Sequence, residues 1–158
     1  MEMKKYPLPA PKFEKLFRAE VLLGDVYPLG NIGGGYQEIV AVTGGSFEGS
    51  IHGEIMSFGG DWGLLYDDTV NNLDTKYLLK TDDGAYISVH CRGRLIMSLE
   101  DMQKSDEGLL AEEDYYFRQS ISFTTGADPY RWMNEIVAVG ISAITDDGNI
   151  CLDVYKLI

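Results

Sequence analysis

The stretch SFEGSIHGEIMSFGGDW, residues 46–62, decides how the chain folds. Gly49, Gly53, Gly59 and Gly60 fall among alternating side chains, and the stretch ends on Asp61 beside Trp62. Glycine at such intervals is costly in an ordinary strand, but it is favoured where a strand bends hard at the corner of a closed sheet. The stretch is therefore expected to be one long strand that coils around a β-barrel and leads polar side chains towards the interior.

Period-two patterning continues outward in both directions. In LFRAEVLLG, Phe17, Ala19, Val21 and Leu23 share a face opposite Arg18 and Glu20. YQEIVAVTGG and GSFEGSIHGEIMS suggest a hairpin around Gly44-Gly45, a pair suited to a tight turn. In LDTKYLLKTDDGAYISVHCRG, Leu73, Thr75, Tyr77 and Leu79 alternate up to DDG, and Ala85, Ile87, Val89 and Cys91 alternate back. YYFRQSISFTTG, NEIVAVGISAI and ICLDVYKLI add further strands. SLEDMQKSDEGLLAEED breaks the pattern, and Ser98 with Asp101 reads as the capping box of a short acidic helix. The expected fold is all-β: a single antiparallel barrel of about nine or ten strands with at most one or two short helices. Its first strand, near Leu16–Leu23, should pair with its last, near Ile150–Leu157, because unpaired edges invite aggregation. A two-sheet sandwich is the rival architecture. Pro7, Pro9 and Pro11 mark residues 1–13 as an extended leader, which leaves residues 14–158 for the barrel domain.

The chain has 158 residues, enough for one domain that buries roughly two-thirds of its unfolded surface. Twenty-five acidic against thirteen basic residues give a net charge of −12, which repels phosphate backbones and anionic lipid surfaces. Nucleic acid and membrane are not expected partners, and the absence of a signal-peptide pattern points to the cytoplasm. Cys91 and Cys151, the only cysteines, read as buried thiols. His52 and His90 are the only histidines, and neither they nor the cysteines show metal-ligand spacing. GNIGGGYQ lacks the lysine and the helix of a phosphate loop, no G-x-S-x-G elbow occurs, and adjacent His90 and Cys91 point to opposite faces of a strand. Neither metal nor cofactor is expected.

Five phrases in fixed order carry a resemblance: LFRAEVLLG, TGGSFEGSIHGEI…GGDW, LDTKYLLKTDDGAYISV, YYFRQSISFTTGADPYRWMN and LDVYKL. Together they resemble uncharacterised protein family UPF0311, also known as domain of unknown function DUF3237, from about residue 14 to the C-terminus. The resemblance implies an antiparallel β-barrel and leaves its biochemical role unassigned.

The candidate site follows from the polar faces. Arg118 comes directly after three aromatic residues and would project into the lumen, paired with Asp61 or Asp74. Trp62, Trp132 and Tyr116 would form aromatic walls, and His52 is a candidate acid–base group. The leading expectation is a small, partly aromatic or carbonyl-bearing ligand in the barrel interior. One alternative is a cofactor-independent isomerase, lyase or cyclase that uses Asp61, Arg118 and His52. Another is a structural or assembly module with a packed lumen. Homo-oligomerisation is left open.

Overall fold

The computed structural model describes residues 5–107 and 114–158. The end of the expected acidic helical segment, residues 108–113, and the first four residues of the leader lie outside the described residues. Residues 5–12 carry no regular structure and are exposed.

Eight antiparallel strands close into a barrel in sequence order: β1 (Phe13–Asn31), β2 (Tyr36–Gly49), β3 (Gly53–Tyr66), β4 (Val70–Thr81), β5 (Tyr86–Ile96), β6 (Tyr116–Thr124), β7 (Ala138–Ile144) and β8 (Ile150–Leu157). The count is eight rather than nine or ten because long strands run through residues that look like breaks. β1 passes through Gly24 and Pro28 with local register shifts. The tight turn expected at Gly44-Gly45 is also corrected, since both glycines lie inside β2 and the chain turns only after Gly49. Residues 46–62 are therefore part of a hairpin, not one strand: the end of β2, a turn at residues 50–52, and the first part of β3. Its glycines allow close approach of the neighbouring strands. At Gly59, φ is +100° and a side chain would run into the carbonyl oxygen of Lys76 on β4. At Gly60, a Cβ would lie 2.8 Å from the carbonyl oxygen of Val40 on β2.

β1 pairs with β8 from Phe13↔Leu157 to Val21↔Ile150, so the first and last strands close the sheet as expected. Asp153 on β8 latches this seam from outside, accepting from Arg18 Nε and Nη2, each at 2.7 Å, with Lys15 Nζ at 2.9 Å. These cations hold the Asp153 carboxyl down to about 2. Because the folded value lies below the unfolded one, the stabilisation is complete above the ordinary carboxylate range and is lost as pH falls through about 2. Asp153→Asn should cost up to about 2 kcal/mol near neutrality, an upper bound because Arg18 and Lys15 are solvent-screened. Denaturant melts of wild type and variant should converge near the acid end of that window. A gap that does not depend on pH would refute the latch.

The antiparallel order gives the barrel two unlike ends. One carries the β2–β3 and β4–β5 turns and the chain past β6, where a 3-10 helix (Asp128–Glu135) places Met133 at 0% exposure in the core. Phe17, Phe47, Phe123, Leu79 and Ile87 fill this half around it. The opposite end carries the β1–β2, β3–β4 and β7–β8 turns and helix α1 (Leu99–Asp106). The capping box of α1 is formed as expected: the Ser98 side chain accepts from Asp101 N–H, and the Asp101 carboxylate accepts from Ser98 N–H. Neither helix is long and apolar enough to cross a membrane.

Candidate functional site

Towards the α1 end the lumen is not filled. A cavity of about 220 Å³ is walled by apolar side chains of all parts of the barrel, including Val21, Leu73, Phe117 and Leu152. Polar groups enter it at a few points: Asp61 from β3, Asn71, Thr75 and Tyr77 from β4, Cys91 from β5 and Gln119 from β6. A second hollow of about 310 Å³ shares Asn71, Leu95 and Ile144 with the first and reaches Met102 and Ser105 of α1. The two form a chamber and a vestibule at the same end.

Asp61 is the electrostatic centre of the chamber. Its Oδ1 accepts from Thr75 Oγ1 at 2.8 Å and from the Asp74 backbone N–H at 3.0 Å. Burial raises the Asp61 carboxyl above its ordinary range, against the two hydrogen bonds that favour the charged form; Asp74 and Glu38 raise it further. Its Oδ2 faces a gap left by Gly63, where a Cβ would stand 3.1 Å from Asp61 Oδ2 and 3.3 Å from Asn71 Oδ1. Three buried polar atoms that line the cavity have no hydrogen-bond partner: Asn71 Oδ1, Gln119 Oε1 and Tyr77 Oη. The Tyr77 hydroxyl lies beside the Cys91 thiol, close enough to perturb it yet outside hydrogen-bonding geometry. Burial pushes Cys91 up to about 12 and Tyr77 well above its ordinary value. Cys91 is thus held as a thiol, poorly suited to act as a nucleophile.

Of the site residues expected from sequence, the structure brings only Asp61 into this chamber. Trp62 follows Asp61 directly in β3 and is exposed on the outer wall, because neighbouring strand residues point to opposite faces. The same rule turns Asp74, Tyr116 and Arg118 outward, next to inward-facing Leu73, Thr75 and Phe117. Asp74 pairs with His90 Nε2 at 2.6 Å and approaches Arg92 at 3.9 Å on the outer surface. Arg118 donates to the Phe117 carbonyl at 2.9 Å and lies 5.5 Å from the centroid of the Tyr116 ring. The expected lumen pairing of Arg118 with Asp61 or Asp74 is therefore corrected. His52 and Trp132 sit at the opposite, packed end: His52 Nδ1 lies 2.6 Å from Asp82 Oδ2, and Lys156 covers Trp132 at 5.9 Å. Arg118→Met should change stability by about 0.5 kcal/mol or less, as an outer-wall substitution, and leave lumen binding intact. A loss of lumen binding in that variant, read by calorimetry, would contradict this placement.

Thr75, Gln119, Asn71 and Tyr77 line the chamber and are not among the residues expected there from sequence. Thr75 and Gln119 carried a signal, because each interrupts an otherwise apolar alternating face: Leu73, Thr75, Tyr77, Leu79 on β4 and Phe117, Gln119, Ile121, Phe123 on β6. Among the described residues, no group of three or more His, Cys, Asp or Glu side chains is placed to hold a metal ion.

The family described as a protein of unknown function, DUF3237, matches residues 11–157. The chain belongs to this family. It is 30% identical over 152 residues to a UPF0311 protein of Rhodopseudomonas palustris, covering 95% of this chain and 99% of that one. A crystallised β-barrel-like protein from Acinetobacter baumannii is 34% identical with a TM-score of 0.84, covering 98% of this chain and 100% of its own. The barrel also resembles that of an enzyme from Penicillium herquei, with a TM-score of 0.73 over 99% of this chain and 100% of that one. Identity there is 22%, a likeness of fold alone.

Proposed function

We propose that this protein binds a small molecule inside its barrel, in the chamber around Asp61. The observation that carries the reading is the combination of an apolar cavity with unpartnered buried polar atoms, Asn71 Oδ1, Gln119 Oε1 and Tyr77 Oη. Buried polar groups left without partners are costly, and a ligand that supplies their hydrogen bonds recovers that cost. An apolar chamber with a few convergent polar groups is the common form of a small-molecule site. A packed structural module would lack the void into which these atoms face. The test is a thermal-shift screen of apolar small molecules against wild type and Gly63→Val, whose side chain would fill the gap between Asp61 and Asn71. Ligands should raise the melting temperature of wild type and lose that effect in the variant. A screen without a stabilising compound, or equal shifts in both proteins, would remove the reading.

A second reading, proton-transfer catalysis without a cofactor, is favoured by Asp61 alone. A desolvated carboxyl whose pKa is raised by burial is a stronger base than a free one, suited to take a proton from carbon next to a carbonyl and return it elsewhere on the same molecule. The Tyr77 hydroxyl could donate to the enolate oxygen formed in that step. Incubating a bound carbonyl compound in deuterated water tests it: α-proton exchange seen by NMR should vanish in Asp61→Asn. Exchange at the solvent rate in wild type would leave a binding protein only.

A further inference from the structure

The walls of the chamber also limit what charge its occupant can carry. Among the described residues, neither the chamber nor the vestibule is lined by a lysine, arginine or histidine. The ionisable carboxyls that face them are Asp61 in the chamber and Glu38 in the vestibule. Arg118 and Arg94, which stand opposite each other on β6 and β5, lie on the outer face of the sheet. A buried anion needs a cation or several donors to replace its hydration, and here it would meet a carboxyl instead.

The hydrogen-bonding pattern narrows the class further. Asp61 Oδ1 is already occupied by Thr75 and the Asp74 backbone, whereas no described protein group donates to Oδ2 at the Gly63 gap. The amide of Asn71 stands across the same gap, and Gln119 adds a second unpartnered amide oxygen. A ligand hydroxyl placed at this gap would donate to Asp61 Oδ2 and fill a space too polar for a methyl group. The rest of the wall is aliphatic or aromatic and asks for an apolar body. At about 220 Å³ the chamber exceeds the void of about 150 Å³ that takes up benzene, so a body of two fused rings is a reasonable size.

We infer that the lumen is selective for an uncharged, hydroxyl-bearing apolar molecule, seated with its hydroxyl on Asp61 Oδ2, and that it rejects carboxylates and other anions of the same shape. The inference rests on the lumen-site reading and deepens it. Charge exclusion of this kind is specificity by repulsion rather than by added contacts.

Three shape-matched probes test it by calorimetry near neutral pH on the full chain: 2-naphthol, 2-naphthoate and 2-methoxynaphthalene. 2-Naphthol should bind at least about tenfold more tightly than either of the others, because only it is uncharged and also donates a hydrogen bond. In Asp61→Asn, checked by circular dichroism for an unchanged fold, the preference for 2-naphthol over 2-naphthoate should shrink. If 2-naphthoate binds wild type as tightly as 2-naphthol, and Gly63→Val abolishes both, the lumen site stands and the charge class is overturned. If 2-naphthol binds Gly63→Val as well as it binds wild type, or if none of the three probes binds wild type, the lumen reading falls and this inference with it.

Discussion

Gly59→Ala should cost about 2–6 kcal/mol, the sum of two penalties of about 1–3 kcal/mol each: a non-glycine residue held in the left-handed region, and overpacking against a fixed backbone. Both are present at this position, where φ is +100° and the new Cβ would meet the Lys76 carbonyl and stand 3.0 Å from Tyr77 Cα. Two other glycines separate the penalties. Gly84 has φ +89° but nothing within 4 Å of an added Cβ, so Gly84→Ala should cost only the conformational part, about 1–2 kcal/mol. Gly34 has neither positive φ nor a neighbour within 4 Å, so Gly34→Ala should be neutral or stabilising by about 0.4–1 kcal/mol through the unfolded chain. Denaturant midpoints at constant slope decide the order. Equal losses at Gly59 and Gly84 would mean that the close approach of β3 and β4 has no energetic weight. The approach matters for the site because Gly59 lies two residues before Asp61, and it pairs with Tyr77, another wall of the chamber.

That coupling between backbone and site explains what could be read from the sequence. Alternation in LFRAEVLLG and ICLDVYKLI was enough to place both terminal strands, and the demand that their edges be covered was enough to pair them. Which residues face inward at the site was legible too, wherever an apolar set fixed the parity. Phe117, Ile121 and Phe123 are buried, so Gln119 faces in and Arg118 faces out. Parity, not the aromatic residues that precede it, sets the direction of Arg118. Asp61 and Trp62 show the same tension, since two adjacent strand residues cannot both line one lumen. The role of each glycine was not legible. Gly44 and Gly45 have the composition of a tight turn, yet they sit within β2, where a side chain on Gly45 would collide with the Glu20 carbonyl of β1. That contact depends on the curvature of the closed sheet, which no local window of sequence contains. The uneven filling of the lumen was equally hidden, because it depends on which end receives Met133 and which receives α1.

The uneven filling sets up the last prediction, a pair of truncations on the inner wall. Phe17 is 1% exposed and makes edge-to-face contacts with Phe47 at 5.5 Å and Phe123 at 6.1 Å between ring centroids. Phe17→Ala would open a void among close-packed rings held by three different strands, which cannot all collapse into it, and should cost about 3–5 kcal/mol. Leu73 is also buried, but it belongs to the smaller cluster at the α1 end and already borders the chamber. Because one side of Leu73 faces empty volume, its truncation removes fewer contacts, and Leu73→Ala should stay near the lower end of its range, about 2 kcal/mol. The two variants should also diverge in binding. Leu73→Ala enlarges the chamber and should admit a bulkier ligand than wild type, whereas Phe17→Ala weakens the packed half and leaves the walls around Asp61 in place. Equal stability losses with no change in ligand size preference would show that the lumen is packed alike at both ends. The chamber would then be no more than slack in the core.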